Sequence, residues 1–288
     1  MNKPTVGIVG SRGFIGNQLF GRLREDDVEV IEFNREKDNS NFIDLEIPEQ
    51  FNYDVLENID CIIFAAAVSS PDYCVNNPKK AYQSNVFGTK HFINEALNRN
   101  CQVVFLSSDS VYGSDRGKAF NEIHDTNPTT TYGKMKKEVE DTFKDNQLFK
   151  SLRLSYVISK SDKFMNYVKN CIEREVPVEI FHPFYRNCVM LDEVIKSIIW
   201  IMENWENHKT PFLNICGPEL ISRLRIVDEI NRFSNNEIQY KVIYPRDEFF
   251  YVRPKITEMS SLYLGGFISE INDPFSIRLK RELSKKIF

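Results

Sequence analysis

No apolar run in this chain approaches the roughly 18–20 residues needed to cross a bilayer. The longest, Cys61 to Val68, suits a buried strand and its exit. The first strand pattern begins almost at the N-terminus, which predicts that no signal peptide is present and that the protein is cytoplasmic. No CxxC pair occurs among the six cysteines (Cys61, Cys74, Cys101, Cys171, Cys188 and Cys216), and the four histidines are dispersed. That spacing argues against a zinc site or a disulfide framework and for free thiols in a reducing compartment. Basic charge is not in excess: the formal net charge is −4, whereas nucleic acid favours basic faces. Neither a membrane nor a nucleic acid is expected as a partner, and no metal is expected. There is no GxSxG elbow, which sets aside a serine hydrolase. Low-complexity tracts, internal repeats and linkers rich in Gly and Ser are also absent.

What is there is an ordinary globular composition, 42% hydrophobic and 27% charged. A chain of 288 residues buries a sizeable core, as one large domain or as one domain with a smaller partner. Its organising stretch is Thr5 to Gly16. An apolar strand pattern stops at Gly10, and Gly10, Gly13 and Gly16 carry the chain, through Ser11, Arg12, Phe14 and Ile15, into an amphipathic run ending at Leu23. Strand, tight glycine turn and helix start form a phosphate-binding geometry, in which helix N–H groups point at an anion.

Val28 to Phe33 reads as a second strand, ending at Asn34-Arg35 about 20 residues after the turn. In a dinucleotide-binding fold a carboxylate there holds the ribose 2′-hydroxyl of NAD. Asn34 and Arg35 stand in its place, and Arg12 lies in the glycine turn, so two guanidiniums are available to a 2′-phosphate. The sequence thus favours NADP(H). NAD(H) stays open because Glu32 shares a strand face with Asn34.

Phe42 to Leu45 suggests a short strand. Asp60 to Ala67 is a continuous apolar run of the parallel-sheet kind, and Ala65, Ala66 and Ala67 leave room for a flat ligand. A long helix is expected from about Lys79 to Arg99, carrying Asn85. Gln102 to Leu106 is the next strand and runs into Ser107-Ser108-Asp109-Ser110, at the carboxyl end where open parallel sheets bind ligands. Gly113 to Thr131 reads as a loop long enough to suspect function. A helix starts at Tyr132, and Leu152 to Val157 is another strand. Repeated strand–helix alternation implies a doubly wound parallel α/β sheet of Rossmann type. Beyond Ser159 the pattern loosens: Asp192 caps a helix, Phe212 to Ile215 is a strand, and Arg253-Pro254 lies in a loop. The expected division is residues 1–158 plus about 187–205 for dinucleotide binding. About 159–186 and 206–288 form a smaller α/β substrate lobe.

Tyr132 and Lys136 are four apart and share a helix face. A phenol titrates near 10, and a neighbouring ammonium makes it more acidic. Lys136 together with an oxidised nicotinamide is expected to lower Tyr132 by about two or three pKa units. Ser108 is placed to donate a second hydrogen bond to a substrate oxygen as charge develops on a carbonyl.

These signals in this order resemble an extended short-chain dehydrogenase/reductase: the glycine turn, Asp44-Leu45, the three alanines, Asn85 with Gly88-Thr89, Ser107 to Gly113, and Tyr132-xxx-Lys136. The chain looks most like the NAD-dependent epimerase/dehydratase group and its dTDP-4-dehydrorhamnose reductase-like branch. The resemblance implies a catalytic set of Ser108, Tyr132 and Lys136, adenine contacts from Asp44 and Leu45, and further cofactor contacts from Asn85, Ser107 and Tyr156. It also implies substrate contacts from Ser69, Ser108, Asp109 and Ser110, and diphosphate contacts from Arg186 and Arg253. Dehydratases of the group carry an Asp-Glu pair where this chain has Asp109-Ser110, which disfavours elimination. Tyr156 stands where relatives often place asparagine. The implied activity is reduction of a 4-keto group on a nucleotide-linked hexose, for surface polysaccharide, by a homodimer. A 4-epimerase with bound NAD and a non-catalytic NADP(H) sensor are the alternatives, the sensor disfavoured by the intact Tyr132 and Lys136.

Overall fold

The computed structural model describes residues 4–113, 117–233 and 238–284. In chain order the elements begin with β1 Thr5–Val9, α1 Phe14–Glu25, β2 Glu29–Phe33, β3 Cys61–Phe64, α2 Pro71–Asn76 and α3 Pro78–Tyr82. A π-helical turn, Gln83–Gly88, leads to α4 Thr89–Asn98, β4 Gln102–Ser108 and α5 Thr131–Phe143. Then come β5 Phe149–Leu154, β6 Val157–Ile158, α6 Lys163–Glu173, β7 Val178–Phe181, β8 Tyr185–Arg186, β9 Val189–Met190 and α7 Leu191–Glu203. The last are β10 Phe212–Ile215, β11 Ile221–Ser222, α8 Arg223–Phe233, β12 Tyr240–Ile243, α9 Asp247–Phe250, β13 Ile256–Thr257 and α10 Phe275–Ser284.

Six strands form one parallel sheet in the order β10-β5-β4-β3-β1-β2. Strand alternation divides its side chains between two cores. Val6, Ile8, Ile63, Val104 and Leu106 pack with α1 and α7 on one face. Val9, Ile62, Phe64, Val103 and Phe105 pack with α4 and α5 on the other. A sheet covered on both sides needs apolar residues at every position, hence the unbroken runs in the sequence. The order reverses at β1, so a crevice opens between the carboxyl ends of β1 and β3. That crevice is the switch point where doubly wound sheets take ligands.

Several expectations are corrected. Phe42 to Leu45 is no strand: only an isolated bridge joins Phe42 to Asn34, and the sheet ends at β2. The expected long helix is interrupted by the π-helical turn, which aims Ser84 and Asn85 at the crevice. Gly88 closes that turn against the chain at Leu45, whose carbonyl oxygen would lie 1.9 Å from a Cβ. Asp192 sits in the first turn of α7, whose cap is Met190. Glu193 accepts the Met190 amide at 2.8 Å. Of the expected loop 113–131, residues 114–116 lie outside the described residues.

A separate apolar cluster joins α6, β7, α8 and α10 through Phe164, Val168, Ile180, Val227, Phe275 and Leu279. The boundary read from sequence nevertheless shifts. β10, assigned above to the second lobe, is an edge strand of the main sheet and pairs with β5. Leu264, Ile268 and Ile271 also join the main core.

Candidate active site

The crevice is a cavity of about 540 Å³. Its floor is the glycine turn. Gly10 has φ +87°, and a Cβ there would lie 2.8 Å from the Ala66 nitrogen. A Cβ on Gly16 would lie 2.3 Å from the Gly10 carbonyl oxygen. Glycine is therefore needed at both positions to let α1 start against β1 and β3. Gly13 caps α1 without a side-chain hydrogen bond, and the first helical amides have no intrahelical acceptor. Gly13, Phe14 and Ile15 line the cavity there. Ser11 does not; it is buried and its Oγ accepts from Asn34 Nδ2 at 3.0 Å.

At one end the walls are Asn34, Arg35, Glu36, Asp44 and Leu45. Asn34 is a buried brace rather than a free ligand, because its Oδ1 also accepts the Glu36 amide at 2.9 Å. Arg12 is not the free cation expected from sequence. Its Nε pairs with Glu36 at 3.0 Å and its Nη1 with Glu32 at 3.5 Å. Glu36 is the residue that sequence reasoning missed; an acid two places beyond Asn34 was the available signal. Arg35 stays exposed on the wall.

At the other end lie Ser69, Ala65 to Ala67, Asn85, Ser107, Tyr132 and Lys136. Asn85 is fixed by two bonds to the Val68 backbone, at 2.8 and 2.9 Å. Ser107 Oγ is buried without a partner, an orphan that a bound ligand would satisfy. The glycine cradle, the open helix amides and this orphan hydroxyl together fit a dinucleotide.

Lys136 is buried and donates to the Leu106 carbonyl oxygen at 2.7 Å. Its Nζ lies 4.3 Å from the centre of the Phe105 ring and 5.8 Å from that of Tyr132. Burial lowers its pKa to about 7 against only the pull of Glu140. Tyr132 moves opposite to the expectation: burial first, then Cys74 and Asp109, raise its phenol above the ordinary value. The direction follows from desolvation, which disfavours the phenolate, while the Lys136 nitrogen is bonded to a backbone carbonyl.

A testable consequence concerns stability. Below pH 7 Lys136 is protonated in folded and unfolded states alike, so the native state bears its desolvation in full. Between about 7 and the ordinary 10.5 the unfolded state binds the extra proton, and stability rises with pH. Lys136→Met is therefore expected to stabilise by about 3 kcal/mol at pH 6, after allowing for the lost carbonyl bond, and by little at pH 10.5. Thermal melts at the two pH values check this, and a gain that grows with pH contradicts it.

Ser108, Asp109 and Ser110 sit beyond the cavity wall. Ser108 Oγ donates to Asp109 at 3.1 Å and accepts from Ser110 Oγ at 3.0 Å. Asp109 is pushed up by burial and meets Arg186 Nε at 3.4 Å. Arg186 gives its remaining nitrogens to the Tyr185 and Pro254 carbonyl oxygens, at 2.6 and 2.8 Å. Arg253 does not join it; it pairs with Asp72 on α2. Tyr156 also turns away from the cavity, its hydroxyl donating to Asp162 at 3.3 Å.

Fold and cavity are those of a doubly wound α/β protein with a ligand crevice at its switch point. The chain belongs to the NAD dependent epimerase/dehydratase family, whose model matches residues 6–216. It is 27% identical over 153 residues to UDP-glucuronic acid decarboxylase 1 of Danio rerio, covering 48% of this chain and 37% of that protein. It is 25% identical over 164 residues to UDP-glucose 4-epimerase of Rhizobium meliloti, covering 53% and 50%. The matches thus span half or less of these relatives. Two solved structures share the fold over nearly the whole chain. One is dTDP-4-dehydrorhamnose reductase from Bacillus anthracis in complex with NADP, with TM-score 0.82, 19% identity and 98% of each chain covered. The other is MoeE5 in complex with UDP-glucose and NAD, with TM-score 0.81, 19% identity, and 96% and 97% covered.

Proposed function

We propose that this protein is a nicotinamide-dependent oxidoreductase that reduces a 4-keto group on a hexose carried by a nucleoside diphosphate. The observation that carries the reading is Tyr132, a partly buried phenol in the cavity of the glycine turn, with the Lys136 nitrogen 5.8 Å from its ring centre. A bound nicotinamide supplies or accepts the hydride. Tyr132 supplies the proton at its hydroxyl, as carbonyl reduction requires, and Lys136 orients the cofactor ribose and favours the developing charge. Ser108 joins as second donor once its bond to Asp109 is exchanged for the substrate oxygen. The cluster of α6, β7, α8 and α10 forms most of the substrate lobe. A homodimer across α4 and α5 belongs to the same reading.

Electrostatics around Arg12 shift the cofactor preference toward NAD(H). A 2′-phosphate needs surplus positive charge, and Glu32 and Glu36 offset Arg12. NADH is expected to bind about tenfold more tightly than NADPH, and Glu36→Gln to erase that margin. Fluorescence titration checks both, and tighter NADPH binding by the unaltered protein would return the assignment to NADP(H). The same two carboxylates favour a second reading, a 4-epimerase that retains NAD.

The deciding experiment mixes protein and reduced nicotinamide with nucleotide-linked 4-keto-6-deoxyhexoses. Stoichiometric loss of reduced nicotinamide with turnover supports the reductase. Interconversion of 4-hydroxy sugars without net oxidation supports the epimerase. Cofactor binding with turnover of neither sugar class refutes both.

A further inference from the structure

Arg223, a partly buried cation of the second lobe, is held among aromatic rings with a buried nitrogen that has no hydrogen-bond partner. Arg223 opens α8, directly after β11, whose register sets Ser222 opposite Tyr185 and Ile221 opposite Arg186. Its guanidinium lies 4.7 Å from the centre of the Phe184 ring, 4.9 Å from Phe164 and 5.9 Å from Tyr156. Its Nε is buried with no hydrogen-bond partner. The other arginines nearby are committed. Arg186, 4.4 Å from the same Phe184 ring, is spent on Asp109 and two carbonyl oxygens. Arg253 is held by Asp72. Asp162, which accepts from the Tyr156 hydroxyl next to Arg223, is already filled by that bond and by three backbone amides. Two guanidiniums thus share one ring, and the carboxylate that meets this pair, Asp109, is bonded to Arg186.

Rings hold a guanidinium in place through its π-faces and strip away its water. They do not satisfy its N–H groups, and a desolvated donor without a partner is costly. An oxyanion removes that penalty, and the planar fork matches phosphate or carboxylate oxygens. The direction is set by the chain of contacts: Asp109, which meets Arg186, also acts on the Tyr132 phenol. A ligand with its sugar at Tyr132 therefore reaches Arg223 with a charged group.

We propose that Arg223, stacked on Phe184 beside Arg186, binds an oxyanion of the substrate, either the diphosphate or a carboxylate on the sugar. This rests on the nucleotide-sugar reading given above. The test is calorimetric titration of the NADH-saturated protein with UDP, dTDP, UDP-glucose and UDP-glucuronate. Arg223→Gln and Arg223→Lys are compared with the unaltered chain, with NADH affinity and melting temperature as controls for folding. A diphosphate contact predicts about 30-fold weaker UDP or dTDP binding by Arg223→Gln, partly restored in Arg223→Lys. A carboxylate contact predicts that only the extra affinity for UDP-glucuronate is lost. If the glutamine variant melts early, Arg223→Lys decides alone, since it keeps the charge and removes the planar fork. Unchanged affinity for every probe that the unaltered protein binds overturns this inference and leaves the oxidoreductase reading standing. Binding of no probe by the unaltered protein overturns both.

Discussion

Replacing Tyr132 with phenylalanine is expected to lower kcat by about 10²–10⁴-fold while leaving nicotinamide affinity within a few-fold. The substitution removes one oxygen and keeps the ring, which packs beside Cys74, Ala81, Val86 and Met135. Folding and the cofactor cavity are therefore preserved, and the loss reports the proton donor. A phenol raised above its ordinary value does not itself create an alkaline limb below pH 10. A fall in kcat/KM through about pH 7 would belong to Lys136, whose ammonium is lost there as pH rises. Lys136→Met should abolish that limb along with most activity. Steady-state rates on the keto sugar from pH 5.5 to 9, with titration of NADH fluorescence, separate the two roles. Near-normal turnover by Tyr132→Phe would move the acid elsewhere, to Ser108 or water.

Glu140→Gln is expected to destabilise the protein by about 3–5 kcal/mol and to lower its melting temperature by roughly 10 °C. Glu140 and Arg153 are 1% and 3% exposed. Arg153 grips the carboxylate through Nη2 at 2.8 Å and Nε at 3.1 Å, and Ser151 Oγ donates to it at 2.8 Å. Arg153 Nη1 continues to the Tyr112 hydroxyl at 2.9 Å, which donates to Asn214 at 2.9 Å. Neutralising Glu140 strands the guanidinium in a dry interior, and breaking such a pair is far worse than never having it. The double change Glu140→Leu with Arg153→Met is thus expected to recover most of the loss. Glu140 also follows Lys136 by one helical turn and supports its charge, so the glutamine variant should shift the Lys136 titration lower. Urea unfolding of both variants beside the unaltered chain measures the loss and its recovery. A loss under about 1 kcal/mol for Glu140→Gln would mean that water reaches the pair.

Parts of the site were legible because they are local. Gly10, Gly13 and Gly16 answer to backbone clashes within a few residues, and Tyr132 and Lys136 share a face by helix period alone. Arg12 was misread because its partners, Glu32 and Glu36, arrive on another strand and its exit. Phe42 to Leu45 had a strand's composition, but no neighbouring strand pairs with it. Arg253 and Tyr156 were read as ligand contacts, whereas in the structure they meet Asp72 and Asp162. Arg223 carried no sequence signal, since a lysine- and arginine-rich surface helix looks the same.

The strand–helix alternation of the main sheet, the glycine cradle and the helix face shared by Tyr132 and Lys136 were determined by the sequence alone. Short-range sterics and hydrophobic period act within one element or one turn. Tertiary structure decided which charges are already spent, which proton is held, and that Phe212–Ile215 completes the main sheet. Those outcomes depend on burial and on partners as many as 181 residues away, and desolvation exists only once the chain has closed around a group.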